Sequence, residues 1–294
     1  MGFLMSSNVD GHLKVAPNGR AFDLPVLVGI EEGIFESRGL SVELSGRYED
    51  RPLAERDVFA RLKESQFEAG IADVYNVCEW ASIDRLERGS RPGQVAILRA
   101  AVASQALLTF DPTLNEPHDL GDIPVGVNEF TGSHYTTLQL LEGALPRERV
   151  RIEHVGGPDY RMEQLRSGGS RVVALMEPFI SLALKLGAHI IASTFYRGAE
   201  VVGANLSSDA RSAYLDSINE AVDRINAAPT DYAHLLVEPT NGELRPEELS
   251  GHFLHYIHVT PYPRERLTET YSWMRSWGLA GGEVLPEQLV ALEG

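Results

Sequence analysis

The strongest constraint on this chain is a rhythm in which short β-like runs alternate with helical stretches, stop, and start again. His12–Ala16 is apolar at alternate positions, and the turn signal Pro17-Asn18-Gly19 follows it. Leu24 to Ser37 reads as a helix, with Leu27, Ile30, Ile34 and Phe35 at helical spacing and Gly39 as its terminator. Ser41–Ser45 alternates again. Arg56–Ser65 reads as an amphipathic helix, Phe67–Ala72 as a strand, Val77–Arg88 as a helix and Gln94–Val102 as a buried strand. After the loop Asp111–Asp122 the order restarts with strand Ile123–Val127, helix His134–Glu142, strand Val150–Val155 and helix Tyr160–Ser167. Arg171–Met176, Ile180–Leu186 and His189–Thr194 complete this second unit, and helices Asp209–Ala228 and Arg264–Gly278 dominate the final third.

Strands separated by helices of roughly 10–15 residues imply parallel sheets with right-handed crossovers. The expected fold is therefore α/β and two-lobed, each lobe a mostly parallel sheet flanked by helices. Ala106–Phe110 and Glu200–Leu206 are extended and bracket the second unit. They read either as a paired two-strand hinge or as ordinary edge strands. The hinge reading divides the chain into lobe 1, residues 1–105 with 201–294, and lobe 2, residues 106–200.

Charge narrows the partners. Asp and Glu total 42 against 26 Lys and Arg, a formal charge of −16. Such a field repels phosphate backbones and anionic membranes, so neither nucleic acid nor membrane insertion is expected. A local basic pocket for one small anion remains compatible with it. The apolar stretch Phe3–Met5 is far shorter than the roughly 7–15 residues of a secretory signal core. The sequence as written reads as cytoplasmic, or as periplasmic or otherwise extracytoplasmic if a leader was removed. A single cysteine allows no intrachain disulfide.

The residues also carry a family likeness. Leu24 to Leu44, LPVLVGIEEGIFESRGLSVEL, resembles the opening helix and strand of the sulfonate and thiamine-precursor solute-binding family. Asp119 to Val127 (DLGDIPVGV) with Gly132-Ser133 resembles that family's passage into its second lobe. Gln164 to Gly168, Val172 to Pro178 and the tail Trp273 to Leu279 resemble later segments in the right order. The resemblance implies the type II periplasmic-binding-protein fold and capture of a small solute for an ABC transporter. Ser170-Arg171 departs from the acidic residue common in the family before the strand at Val172. Arg56–Phe59, Phe67–Asp73 and Val125–Thr131 are similar to stretches of dihydroxyphthalate decarboxylases, cytoplasmic enzymes on the same fold. A desulfinase and a pyrimidine-precursor synthase share it too, so fold alone does not choose the function.

In open α/β sheets, ligands sit beyond the carboxyl ends of strands, near helix N-termini that favour anions. That rule selects Asn18, Gly19 and Arg20 after the first strand, and Arg47 and Tyr48 after the second. Asn and Gly are equally what a turn requires, and Arg47 with Tyr48 equally suits a solvated loop. Tyr75, Asn76 and Cys78 form a second group, with Asn76 as a helix N-cap and Cys78 in the first turn. A thiol there is either an activated nucleophile or a small buried hydrophobe. Thr131, Gly132, Ser133 and His134 form the third group, as anion donors or as an ordinary N-cap. Glu177, with Pro178 and Phe179, lines the cleft or packs at its rim, as do Tyr160 and Arg161. Phe22, Tyr48 and Phe130 are candidate aromatic cover.

His252, His255 and His258 lack a supporting ligand pattern and read as surface or packing residues, so neither metal nor cofactor is expected. Two functions follow. The first is a binding protein that closes its lobes on a small organic anion, with an ABC permease as partner if exported. The alternative is a cytoplasmic lyase of the decarboxylase or desulfinase kind, or a precursor-synthesis enzyme, using Cys78 as nucleophile and His134 as acid–base group.

Overall fold

The computed structural model describes residues 11–50 and 54–281. Phe3–Met5, weighed above as a leader, lies outside them. In chain order the elements are β1 (His12–Ala16), α1 (Arg20–Glu31), β2 (Ser41–Leu44), α2 (Leu62–Glu68), β3 (Val74–Cys78), α3 (Glu79–Arg88) and β4 (Gly93–Thr109). Then come β5 (Pro124–Val127), α4 (Gly132–Glu142), β6 (Arg151–His154), α5 (Pro158–Ser167), β7 (Val172–Leu175), α6 (Phe179–Lys185) and β8 (His189–Gly203). The chain continues through α7 (Ser208–Ala227), α8 (Pro229–Val237), β9 (Leu254–Tyr256), β10 (Thr260–Pro261) and α9 (Arg264–Ser276).

The strands line up in the order β2-β1-β3-β8-β4-β7-β5-β6. β1 pairs in parallel with β2 and β3, and β5 in parallel with β6 and β7. These parallel triplets are the two α/β units of the sequence. Between them run β4 and β8, antiparallel to each other and long enough to belong to both lobes. The ladder is thus continuous through the connecting pair, while each lobe keeps its own core. Leu13, Val15, Leu24 and Tyr214 anchor one apolar cluster of the first lobe, and Val125, Leu141, Val172 and Ala174 one of the second.

The expected hinge segments prove to be parts of these longer strands. Ala106–Leu108 is already in the ladder with β7, and Val74–Asn76 pairs with Glu200–Val202. The β4–β8 register breaks between Leu98 and Val102, where Leu98 faces Ala199 and Val102 faces Arg197. Three residues of β4, Arg99 to Ala101, therefore oppose Gly198 alone. A bulge of this kind bends the strand and re-aims its side chains.

Some boundaries differ from expectation. Phe67 closes α2 rather than opening a strand, and the strand lies at Val74–Cys78. Cys78 pairs with Gly198, so the backbone stays extended through it and α3 begins at Glu79. Asn76 is therefore a strand residue and not an N-cap. The Arg56–Ser65 segment splits into a 3-10 turn, Val58–Ala60, and the start of α2, because Arg61 between them is extended (φ −73°, ψ 148°).

Candidate functional site

The carboxyl ends of the parallel strands face each other across a cleft of about 380 Å³ between the lobes. Its first wall is the β1–α1 turn. Asp23, fully buried in the first turn of α1, accepts the backbone N–H of Asn18 at 2.8 Å and of Gly19 at 3.1 Å. The Tyr48 hydroxyl (3.1 Å) and the Asn76 amide also donate to it. Asn76 Oδ1 in turn accepts Asn18 Nδ2 at 2.6 Å, and Asn18 Oδ1 accepts Lys63 Nζ at 2.7 Å. Asn18 is thereby fixed in rotamer and amide orientation before any ligand arrives.

The facing wall is the start of α4. Thr131 is the N-cap, but its hydroxyl donates to the Asn128 carbonyl at 2.7 Å, and Ser133 Oγ accepts the Asn128 N–H at 2.9 Å. The hydroxyls shape the loop, which leaves the helix-start N–H groups of Gly132 and Ser133 as the donors an anion would meet. A Cβ on Gly132 would lie 2.6 Å from the Tyr196 hydroxyl, so only glycine allows this approach.

The floor is Arg99, delivered by the β4 bulge. It is 1% exposed and its guanidinium lies 3.7 Å from the centroid of Phe22 and 5.3 Å from that of Tyr196. A Cβ on Gly198 would meet Arg99 Cζ at 2.5 Å, so the lone glycine opposite the bulge makes room for it. Arg99 Nε donates to the Ala101 carbonyl at 3.1 Å, but Nη1 and Nη2 make no hydrogen bond of good geometry among the described residues. Gln105 Nε2, further along β4, is likewise buried and unpaired among them. Leaving charged donors buried without acceptors is strongly unfavourable. An anion at the floor would relieve it.

Two further cations flank the floor. Arg161 donates to the carbonyls of Ala174 (2.6 Å) and Gly156, and burial pulls it down to about 10. Burial lowers Arg61 to about 10 as well, so both stay charged at neutral pH. In the same lining, burial pushes Glu177 up to about 7, although Ser181 donates to both its oxygens.

Of the residues selected from sequence, Asn18, Gly19, Tyr48, Cys78, Thr131, Gly132, Ser133 and Glu177 line this cleft. Arg47, Tyr75, Asn76 and His134 do not. The Arg47 side chain is 79% exposed and paired with Asp50, as a solvated loop residue would be. Tyr75 points into the core against Phe67, and Asn76 acts through Asn18. His134 is buried, its Nδ1 accepts the Phe130 N–H at 3.1 Å, and burial pulls its ring down to about 4. Burial pushes the Cys78 thiol up to about 11, the opposite of what activates a nucleophile.

His255 stacks on Phe195 and His258 bonds Asp223 at 2.7 Å. Among the described residues, no three metal-ligating side chains gather into a site. Arg99, Gln105, Arg61, Lys63 and Tyr196 were missed from sequence. Arg99 did carry a signal, as a lone cation inside the apolar run VAILRAAV.

No family model matches the chain, and no curated protein matches it. Solved structures do. The chain superposes on the periplasmic aliphatic sulphonate binding protein SsuA from Escherichia coli with a TM-score of 0.71 at 13% identity, covering 95% of this chain and 97% of that one. For the periplasmic nitrate-binding protein NrtA from Synechocystis PCC 6803 the TM-score is 0.72 at 12% identity, covering 95% and 84%. The desulfurization enzyme DSZB is also similar, with a TM-score of 0.65 at 13% identity over 96% and 97%. At these identities the likeness is one of fold, and the chain has the periplasmic-binding-protein architecture that its sequence resemblance implies. No helix among the described residues is long and apolar enough to cross a membrane.

Proposed function

We propose that the protein captures a small organic anion in the interlobe cleft, as the ligand-binding component of an ABC-type import system. Among the described residues, those of 11–105 with 201–281 form one jaw and 106–200 the other. The observation that carries this reading is Arg99, buried on the cleft floor with neither terminal nitrogen in a hydrogen bond of good geometry among the described residues, the Tyr196 hydroxyl being its polar neighbour there. Asn18, Gly19 and Tyr48 contact the ligand from one side, and Thr131, Gly132, Ser133 and Glu177 from the other. Phe22 and Tyr196 cover its apolar part. The named ligands of two structural neighbours, a sulphonate and nitrate, are oxyanions and support the same class. If the protein is exported, a membrane permease is its partner.

The lyase reading draws no comparable support, because Cys78 is held as a neutral thiol and His134 stands outside the cleft lining. The test is native mass spectrometry of protein purified from its host. It should carry a retained organic acid that Arg99→Met loses while remaining folded by circular dichroism. A retained neutral compound, or an acid kept equally by Arg99→Met, would sink the proposal.

A further inference from the structure

A second set of unpaired polar atoms lies in the same cleft. Arg61 and Glu64 are three residues apart at the start of α2 and are 8% and 2% exposed. Arg61 Nη2 crosses between the lobes to the carbonyl of Glu129, the residue after Asn128, at 2.9 Å. Arg61 Nη1, Glu64 Oε2 and Asn128 Oδ1 are buried, and none has a hydrogen-bond partner among the described residues. All three residues line the cleft.

One atom of this set can only donate and two can only accept. A hydroxyl accepts from Arg61 and gives its one proton to one of the two acceptors, whereas an ammonium cannot accept and a methyl does neither. Charge points the same way. Glu64 already faces Arg85 at 3.3 Å, with Arg61 and Lys63 beside it in sequence, so a further cation is unwelcome there. Resting on the anion-binding reading above, we infer that the ligand is a hydroxy-bearing organic acid. Its hydroxyl, beside Glu64, accepts from Arg61 Nη1 and gives its one proton to Asn128 Oδ1, while its charge rests on Arg99. Because Asn128 comes from the opposite lobe, this subsite is complete only when the cleft is closed, and recognition of the hydroxyl is tied to closure.

Isothermal titration with two isosteric series tests this. The first is 2-hydroxyethanesulfonate, propane-1-sulfonate and 2-aminoethanesulfonate. The second is 4-(hydroxymethyl)benzoate, 4-ethylbenzoate and 4-(aminomethyl)benzoate. In at least one series the hydroxyl member should bind at least about tenfold more tightly than the methyl member, with the ammonium member weakest. Asn128→Leu leaves the backbone bonds of Asn128 to Thr131 and Ser133 in place. It should reduce the hydroxyl preference, measured as the ratio of hydroxyl to methyl affinity, to within about twofold. Methyl members that bind as well as hydroxyl members in both series would overturn the inference, as expected if water alone fills the subsite. A preference that survives Asn128→Leu would also overturn it. If the wild-type protein binds none of the six, the anion-binding reading falls first and this inference with it.

Discussion

A buried arginine is held in place by what surrounds it, and the surroundings of Arg99 can be changed one atom at a time. Gly198→Ala puts a methyl group against the Val77 carbonyl and 2.5 Å from Arg99 Cζ. It should destabilise the fold by about 1–3 kcal/mol and weaken anion binding by displacing the guanidinium, as read by thermal melting and titration. Glu177 predicts a pH dependence of binding. Its carboxyl titrates near 7, so raising the pH charges it beside the bound anion. Affinity should fall roughly tenfold from pH 6 to pH 8, and Glu177→Gln should hold it constant. Glu200 affects stability instead. Burial pushes it up to about 8 from an ordinary 4.5, so between those values the unfolded chain releases a proton that the folded chain keeps. Folded-state stability contributed by this group therefore drops as pH rises through that window, by on the order of 4 kcal/mol, and Glu200→Gln should remove the drop. Constant urea midpoints for the wild type from pH 5 to pH 8 would contradict this.

At the level of elements, α9 shows how the C-terminal segment ties the lobes together. It rests on α3 through Arg266 and Glu79 (2.5 Å) and through the Tyr271 hydroxyl and Glu87 (2.9 Å). It also reaches the end of α4, where Glu142 accepts the indole N–H of Trp273 at 2.7 Å and of Trp277 at 2.8 Å. Glu142→Leu strands both donors and should cost about 1–3 kcal/mol, with faster amide exchange confined to α9. Uniform protection across α9 in that variant would show that the contact does not hold the helix.

Most elements were legible from sequence because alternation and helical spacing are local properties. His12–Ala16, α4, α5, α7 and α9 fall within a few residues of their expected places. The misreadings lie where tertiary pairing decides. The β3–α3 boundary depends on Cys78 pairing with Gly198, and the length of β4 and β8 depends on each strand lying against the other.

For the whole molecule, a charge of −16 surrounds the cleft proposed to hold an anion. The long-range field opposes approach, and salt screens that field far more than it screens buried contacts. Association should therefore speed up as ionic strength rises from 10 to about 150 mM, the reverse of electrostatic steering. A stopped-flow rate that falls with salt would argue that the cleft's own cations dominate the field. The sequence by itself determined the repeated β-then-α order and the strand-end loops that face the cleft, because periodicity and turn residues are properties of the chain read in line. Only the tertiary structure decided which polar groups are left without partners. Whether Arg99, Gln105, Arg61 and Glu64 are satisfied depends on what a bulge, a glycine and the opposite lobe bring within hydrogen-bond reach, and no spacing along the chain encodes those distances.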